Sequence, residues 1–135
     1  MSTIAFVGLG AMGAPMAANL VKKQMRVVGF DVRAEAVQRL VAAGGHGATS
    51  AAEAAAGADA LVLMVVDADQ AEQVLFAKGA LAALAPGAAV IVMATCAPGR
   101  VADMAARVAA TGRAFVDAPV SGGVVGAEAG TLTIM

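Results

Sequence analysis

Tryptophan and tyrosine are absent from the chain, and four phenylalanines are the only aromatic residues among its 135 positions. A core must therefore be built from Ala, Val, Leu, Ile and Met. A single cysteine, Cys96, excludes an intramolecular disulfide framework and fits a reducing compartment, so a cytoplasmic location is expected. Charge is scarce and balanced: nine basic residues against ten acidic ones leave a net charge of -1, with an isoelectric point near 5.7. That balance provides no electrostatic footprint for nucleic acid. The one histidine, His46, lies in a glycine-rich stretch where it is expected to face solvent. Asp67 and Asp69 stand close together without further ligands, a pattern that suits a helix start better than a cation, so no metal site is expected.

What the chain has in excess is apolar surface, with 60% of its residues hydrophobic. Two charge-free windows, residues 4–21 and 79–99, raise the question of a membrane span. The first contains three spaced glycines, Pro15 and Asn19 and has no basic segment before it; the second is split by Pro86-Gly87. Both read better as strand-plus-helix pieces of a parallel sheet buried on two faces, where continuous apolar runs are the rule. No membrane association is expected.

Strands are expected at 4–7, 27–30, 46–48, 60–66, 88–93, 114–116 and 131–135. Helices are expected after Gly13 and at 34–42, 51–56, 67–76, 79–84 and 101–110, with Ser50 and Glu53 forming a capping box for the third. Strands alternating with helices at short intervals imply an α/β fold: a Rossmann-type, doubly wound parallel sheet with right-handed crossovers, in one domain spanning 1–135.

The first strand runs straight into Gly8-Leu9-Gly10-Ala11-Met12-Gly13 and then into a helix. Each glycine has a physical reason. Gly8 permits the tight strand-to-helix turn, Gly10 lets a pyrophosphate approach the backbone, and Gly13 lets the helix sit close to the sheet. The free N–H groups at the helix start then meet phosphate oxygens. Asp31 closes the second strand 18 residues past Gly13, where its carboxylate can accept from adenosine ribose hydroxyls and repel a 2′-phosphate. These features point to a dinucleotide, with NAD favoured over NADP, although Arg33 is near enough in sequence to reach a 2′-phosphate.

Ligands of such sheets lie beyond the carboxyl ends of the strands. The last of these ends is the most unusual stretch, Asp117-Ala118-Pro119-Val120-Ser121-Gly122-Gly123. Ser121, Gly122 and Gly123 offer a hydroxyl and unencumbered N–H groups for a carboxylate or hydroxyl, but a plain glycine turn between two strands explains them equally well.

These residues carry a family resemblance across the whole chain. GLGAMGAPMAANL resembles the N-terminal signature of the β-hydroxyacid dehydrogenases, the 3-hydroxyisobutyrate dehydrogenase group. DAPVSGG resembles that family's substrate-binding segment, and Thr95-Cys96-Ala97-Pro98 resembles its loop after the fifth strand, usually S-T-x-S/D-P. Within the group, VVDADQAEQVLF and AGTLTIM look most like the L-threonate dehydrogenase branch. The resemblance implies oxidation of a small β-hydroxyacid by hydride transfer to NAD. It implies a homo-oligomer, with Gly8, Leu9, Gly10, Ala11, Met12 and Gly13 around the pyrophosphate and Asp31 and Arg33 at the adenosine ribose. Met64 and Val65 would flank the second ribose through their backbone. Asp69 matches a position that is often Asn in the family, Thr95 would contact the nicotinamide half, and Ser121, Gly122 and Gly123 the substrate.

One part of the family pattern is missing. The family's general acid/base is a lysine in a G-x-x-x-K-x-x-x-N pattern on a long helix, in an all-helical second domain. The resemblance implies that this lysine lies beyond Met135, the last residue of the sequence. Lys22, Lys23 and Lys78 are the only lysines here, and all belong to surface helices away from the strand carboxyl ends. No catalytic residue is therefore expected within 1–135. The chain alone is expected to bind NAD without turning over substrate, as a domain truncated relative to the family, and to expose apolar surface near its last strands. Two rivals remain: a non-catalytic nucleotide-sensing Rossmann domain, which leaves DAPVSGG unexplained, and a 6-phosphogluconate dehydrogenase-like enzyme, whose NADP preference Asp31 opposes. Cys96 is expected to be a packed or cofactor-adjacent thiol rather than a nucleophile.

Overall fold

The structure, a computed structural model, describes residues 2–121, 126–128, 130 and 133–134. Six strands, β1 (Thr3–Val7), β2 (Arg26–Phe30), β3 (His46–Gly47), β4 (Ala60–Leu63), β5 (Ala89–Val92) and β6 (Ala114–Asp117), form one parallel sheet in the order β3-β2-β1-β4-β5-β6. That is the Rossmann order, with its topological switch between β1 and β4. The helices are α1 (Gly13–Lys22), α2 (Ala34–Ala42), α3 (Ala51–Ala55), α4 (Ala68–Glu72), α5 (Ala80–Ala83) and α6 (Pro98–Ala109).

Strand alternation divides the core into two. Phe6, Val27 and Val62 face α1 and α2, where they meet Leu9, Ala17, Ala36 and Leu40. Ala5, Val7, Leu61, Leu63, Val90 and Val92 face the other helices, meeting Leu75, Leu81, Met104 and Val108. Small residues at the helix–sheet contact let the layers close around the few phenylalanines, of which Phe6 is fully buried. Gly29 in β2 shows how close: a Cβ there would strike Leu40 and crowd Leu9.

Four details differ from expectation. The fourth strand stops at Leu63 rather than Val66; Met64 still donates its N–H to the Val7 carbonyl (2.9 Å), after which the chain leaves the sheet for the N-cap of α4. The helix expected at 67–76 is α4 followed by a π-turn, Gln73–Ala77, closed by Lys78 N–H on the Gln73 carbonyl at 2.8 Å. Helix α6 begins at Pro98, whose missing N–H is harmless in a first turn. The seventh run, expected at 131–135, does not extend the parallel sheet: β8 (Thr133–Ile134) pairs antiparallel with β7 (Val120–Ser121) in a separate two-stranded sheet. Met135, placed in that run by the sequence, lies outside the described residues.

Candidate functional site

The site is a line of strand ends. Phe30, Val7, Leu63, Val92 and Asp117 are neighbours in register across the sheet, so the loops leaving β2, β1, β4, β5 and β6 start side by side. The edge therefore brings together Gly8–Gly13, Asp31, Arg33, Met64, Val65 and Thr95.

In the glycine loop, Gly8 has φ +101°, open only to glycine, and a Cβ there would collide with the Met64 carbonyl. A Cβ on Gly13 would collide with the Gly8 carbonyl, so this glycine is needed by the turn itself as much as by the packing of α1 on the sheet. Gly10 is different. Its Cβ position meets only the Arg33 guanidinium, at 3.6 Å, so the backbone is open on that side. Helix α1 starts at Met12 with no side-chain cap and no acid in its first turn, whereas α3 and α4 are capped by Ser50 and Asp67. An uncapped N-terminus beside an open glycine is a ready anion site, and the residues present fit a pyrophosphate.

Asp31 is tied to this loop. Its Oδ2 accepts from Leu9 N–H at 2.8 Å, and its Oδ1 accepts from Arg33 N–H at 2.9 Å and from the Arg33 Nε–H at 3.3 Å. Burial is the largest single influence and works to raise its pKa. The donors from the Arg33 and Leu9 backbones and the Arg33 guanidinium together outweigh it, holding the carboxyl below its ordinary value. A carboxylate oxygen has two lone pairs, so Oδ2, with Leu9 as its single donor, retains capacity for a ribose hydroxyl. A concavity of about 380 Å³ opens beside it, lined by residues including Val32, Val37 and Thr49. Another, about 420 Å³, is lined by Thr3, Arg26 and His46 at the amino ends of β1–β3, on the far side from the glycine loop.

Of the other expected residues, Met64 and Val65 are half-buried and Thr95 is exposed. Asp69 lies in the first turn of α4 with its side chain 80% exposed, and Arg100 Nη2 donates to it at 2.6 Å. Ser121 is in β7, while Gly122 and Gly123 lie outside the described residues. Cys96 is half-buried, its Sγ 3.6 Å from the Ala94 carbonyl. Burial first, and the nearby Asp117 charge second, push its thiol up and leave it protonated at neutral pH. Lys22 and Lys23 end α1 and Lys78 ends the π-turn, at the amino edge of the sheet. The sequence reading missed Arg100, which also grips Glu72 (Nε–Oε1 3.1 Å, Nη2–Oε2 3.0 Å). The signal available was an acid pair three apart on α4, Asp69 and Glu72, awaiting a cation.

The family model describing the NAD binding domain of 6-phosphogluconate dehydrogenase matches residues 3–135. The chain belongs to that family of NAD-binding domains. Among curated proteins, this NAD-binding domain is 46% identical to a protein named NAD-dependent L-serine dehydrogenase from Pseudomonas aeruginosa, over 100% of the chain and 46% of that protein. It is 43% identical to an L-threonate dehydrogenase from Cupriavidus necator, over 98% of the chain and 45% of that protein. A solved Mycobacterium tuberculosis 3-hydroxyisobutyrate dehydrogenase with L-serine superimposes at a TM-score of 0.94 and 40% identity, covering 100% of the chain and 46% of that structure. The domain thus spans about half the length of the proteins it matches. Among the described residues, no helix is long and apolar enough to cross a membrane.

Proposed function

We propose that residues 1–135 form the NAD-binding domain of a β-hydroxyacid dehydrogenase, working with small substrates of the 3-hydroxyisobutyrate, L-serine or L-threonate type. The observation that carries this reading is the join of Asp31 to the glycine loop, which sets an ionised carboxylate beside an open backbone and an uncapped helix. Adenosine ribose hydroxyls donate to Asp31, with Arg33 alongside. The backbone of Gly8, Leu9, Gly10, Ala11, Met12 and Gly13 holds the pyrophosphate against α1. From there the cofactor crosses the switch point, so its nicotinamide half lies over the loops after β4 and β5, with Met64, Val65 and Thr95 around it and Asp69 behind. NAD supplies the hydride acceptor. Ser121, Gly122 and Gly123 hold the substrate carboxylate or hydroxyl. A base must remove the hydroxyl proton as hydride leaves, and none of the three lysines stands at this edge. The domain by itself therefore binds cofactor without catalysing oxidation. In the cell it is cytoplasmic and homo-oligomeric, in keeping with a single half-buried thiol and, among the described residues, the exposed Val116 of β6.

Calorimetric titration with NADH and NADPH tests the reading. NADH is expected to bind at least about tenfold more tightly, a difference of about 1.4 kcal/mol. Tighter binding of NADPH would hand the adenosine ribose to Arg33 instead of Asp31, and binding of neither by the folded domain would overturn the reading.

A further inference from the structure

The Arg100 cluster joins two elements that the cofactor reading uses but does not explain. Arg100 is the third residue of α6, one turn beyond the loop carrying Thr95; Asp69 and Glu72 belong to α4, which directly follows the loop carrying Met64 and Val65. The guanidinium meets Glu72 at two points, a hydrogen bond from Nε to Oε1 at 3.1 Å and an ion-pair contact of Nη2 with Oε2 at 3.0 Å that together make a fork, and it donates to Asp69 from Nη2 at 2.6 Å. Fork geometry fixes orientation as well as distance, which a single-point ion pair does not.

Helix α4 needs such a fixture. It has only five residues before the chain slips into the π-turn, too few to hold itself by propagation of backbone bonds. Its start is tied locally, Gln70 N–H to Asp67 Oδ1 at 3.0 Å and Val66 N–H to Gln70 Oε1 at 3.0 Å, so the loop after β4 moves with the helix as one piece. Two turns down α6, on the same face, Arg107 lies over the Phe76 ring at 3.5 Å and pins the far end of the same pair. The two arginines thus divide the labour by position. Arg107 is remote from the carboxyl edge, and Arg100 sits directly behind it.

We propose that Arg100 is a positioning residue for the nicotinamide half of the cofactor: by clamping Glu72 and Asp69 it sets the spacing between the loop after β4 and the loop after β5. This rests on the NAD reading above. The adenosine half, on the β2 side of the switch point, lies outside its reach.

The test is binding of NADH and of ADP, which lacks the nicotinamide half, by the full chain and its variants. Arg100→Met is expected to weaken NADH about fivefold while ADP stays within about twofold. Arg100→Lys keeps the charge but loses the fork and should recover part of the loss. Glu72→Gln, which breaks the fork from the other side, should reproduce the split. Arg107→Met, with similar loss of charge and packing at the remote end, should leave the NADH-to-ADP ratio unchanged. Equal losses for both ligands in Arg100→Met, unchanged NADH affinity, or a split in Arg107→Met as large as in Arg100→Met would overturn the proposal and leave the NAD reading standing. A folded wild-type chain that binds neither ligand would overturn both.

Discussion

The three fingerprint glycines are spaced as one motif, yet the structure assigns them different work. Gly8 and Gly13 are needed by the fold: one sits at φ +101° against the Met64 carbonyl, the other against the Gly8 carbonyl. Backbone carbonyls cannot swing aside as a side chain can. Gly10 has ordinary backbone geometry and only the tip of Arg33 near its missing Cβ. Alanine substitutions should therefore separate stability from binding. Gly8→Ala and Gly13→Ala are expected to lower unfolding free energy by about 3 kcal/mol or more, through strain and overpacking. Gly10→Ala should change it by less than about 0.5 kcal/mol, while weakening NADH at least about tenfold, because the methyl occupies the space where phosphate approaches. Urea unfolding and calorimetry on the three variants would read both effects. A Gly10→Ala protein that keeps its NADH affinity would remove the pyrophosphate from this loop.

At the scale of elements, helix ends show what the sequence can and cannot disclose. Helices α1 and α2 end in the same Schellman pattern. Met25 N–H reaches the Leu20 carbonyl and Gln24 N–H the Val21 carbonyl; Gly45 N–H and Gly44 N–H do the same with Leu40 and Val41. In α2 the left-handed residue is Gly44, and the pair Gly44-Gly45 marks the stop of 34–42 plainly, so that helix is found where the sequence puts it. In α1 the same position holds Gln24 at φ +66°, and nothing in Lys-Gln-Met announces it. Gln24→Gly relieves a strain of about 1–2 kcal/mol against a backbone-entropy cost of about 0.5–1 kcal/mol. It should raise stability by about 0.5 kcal/mol, read from the urea midpoint; Gln24→Val should lower it. The same division runs through the fold. Local chemistry foretold the caps at Ser50 and Asp67, and apolar runs foretold the central strands. The π-turn leaves no trace in an apolar period read as a regular helix, because its i→i−5 bond is one residue of slippage. The end of β4 at Leu63 and the pairing of β8 with β7 depend on neighbours distant in sequence. So does the Arg100 clamp, whose partners are 28 and 31 residues away.

Across the whole molecule, the sheet is covered unevenly. Its α3–α6 face carries a continuous core from β1 to β6, including Phe115, Met104 and Val108. On the α1–α2 face the helices cover β1, β2 and β4, but toward β6 the cover thins among the described residues: Ile91 is half-buried and Val116 is 45% exposed. From late in the chain the segment around Ala127 reaches this side, where the Asn19 amide donates to the Ala127 carbonyl at 2.7 Å and to the Glu128 carbonyl at 3.4 Å. A flank of small and β-branched residues with no basic or acidic side chain among Ala89, Ile91, Ala114 and Val116 has the composition of a buried surface. In the isolated domain a second copy is the available apolar partner. Sedimentation should therefore show concentration-dependent association. Val116→Lys, which sets a charge in the middle of that flank, should weaken it by about tenfold or more without lowering NADH affinity, because the site lies at the carboxyl edge rather than on this face. A wild-type domain that stays monomeric at millimolar concentration, or a Val116→Lys protein that associates as strongly as wild type, would rule out self-association through this flank.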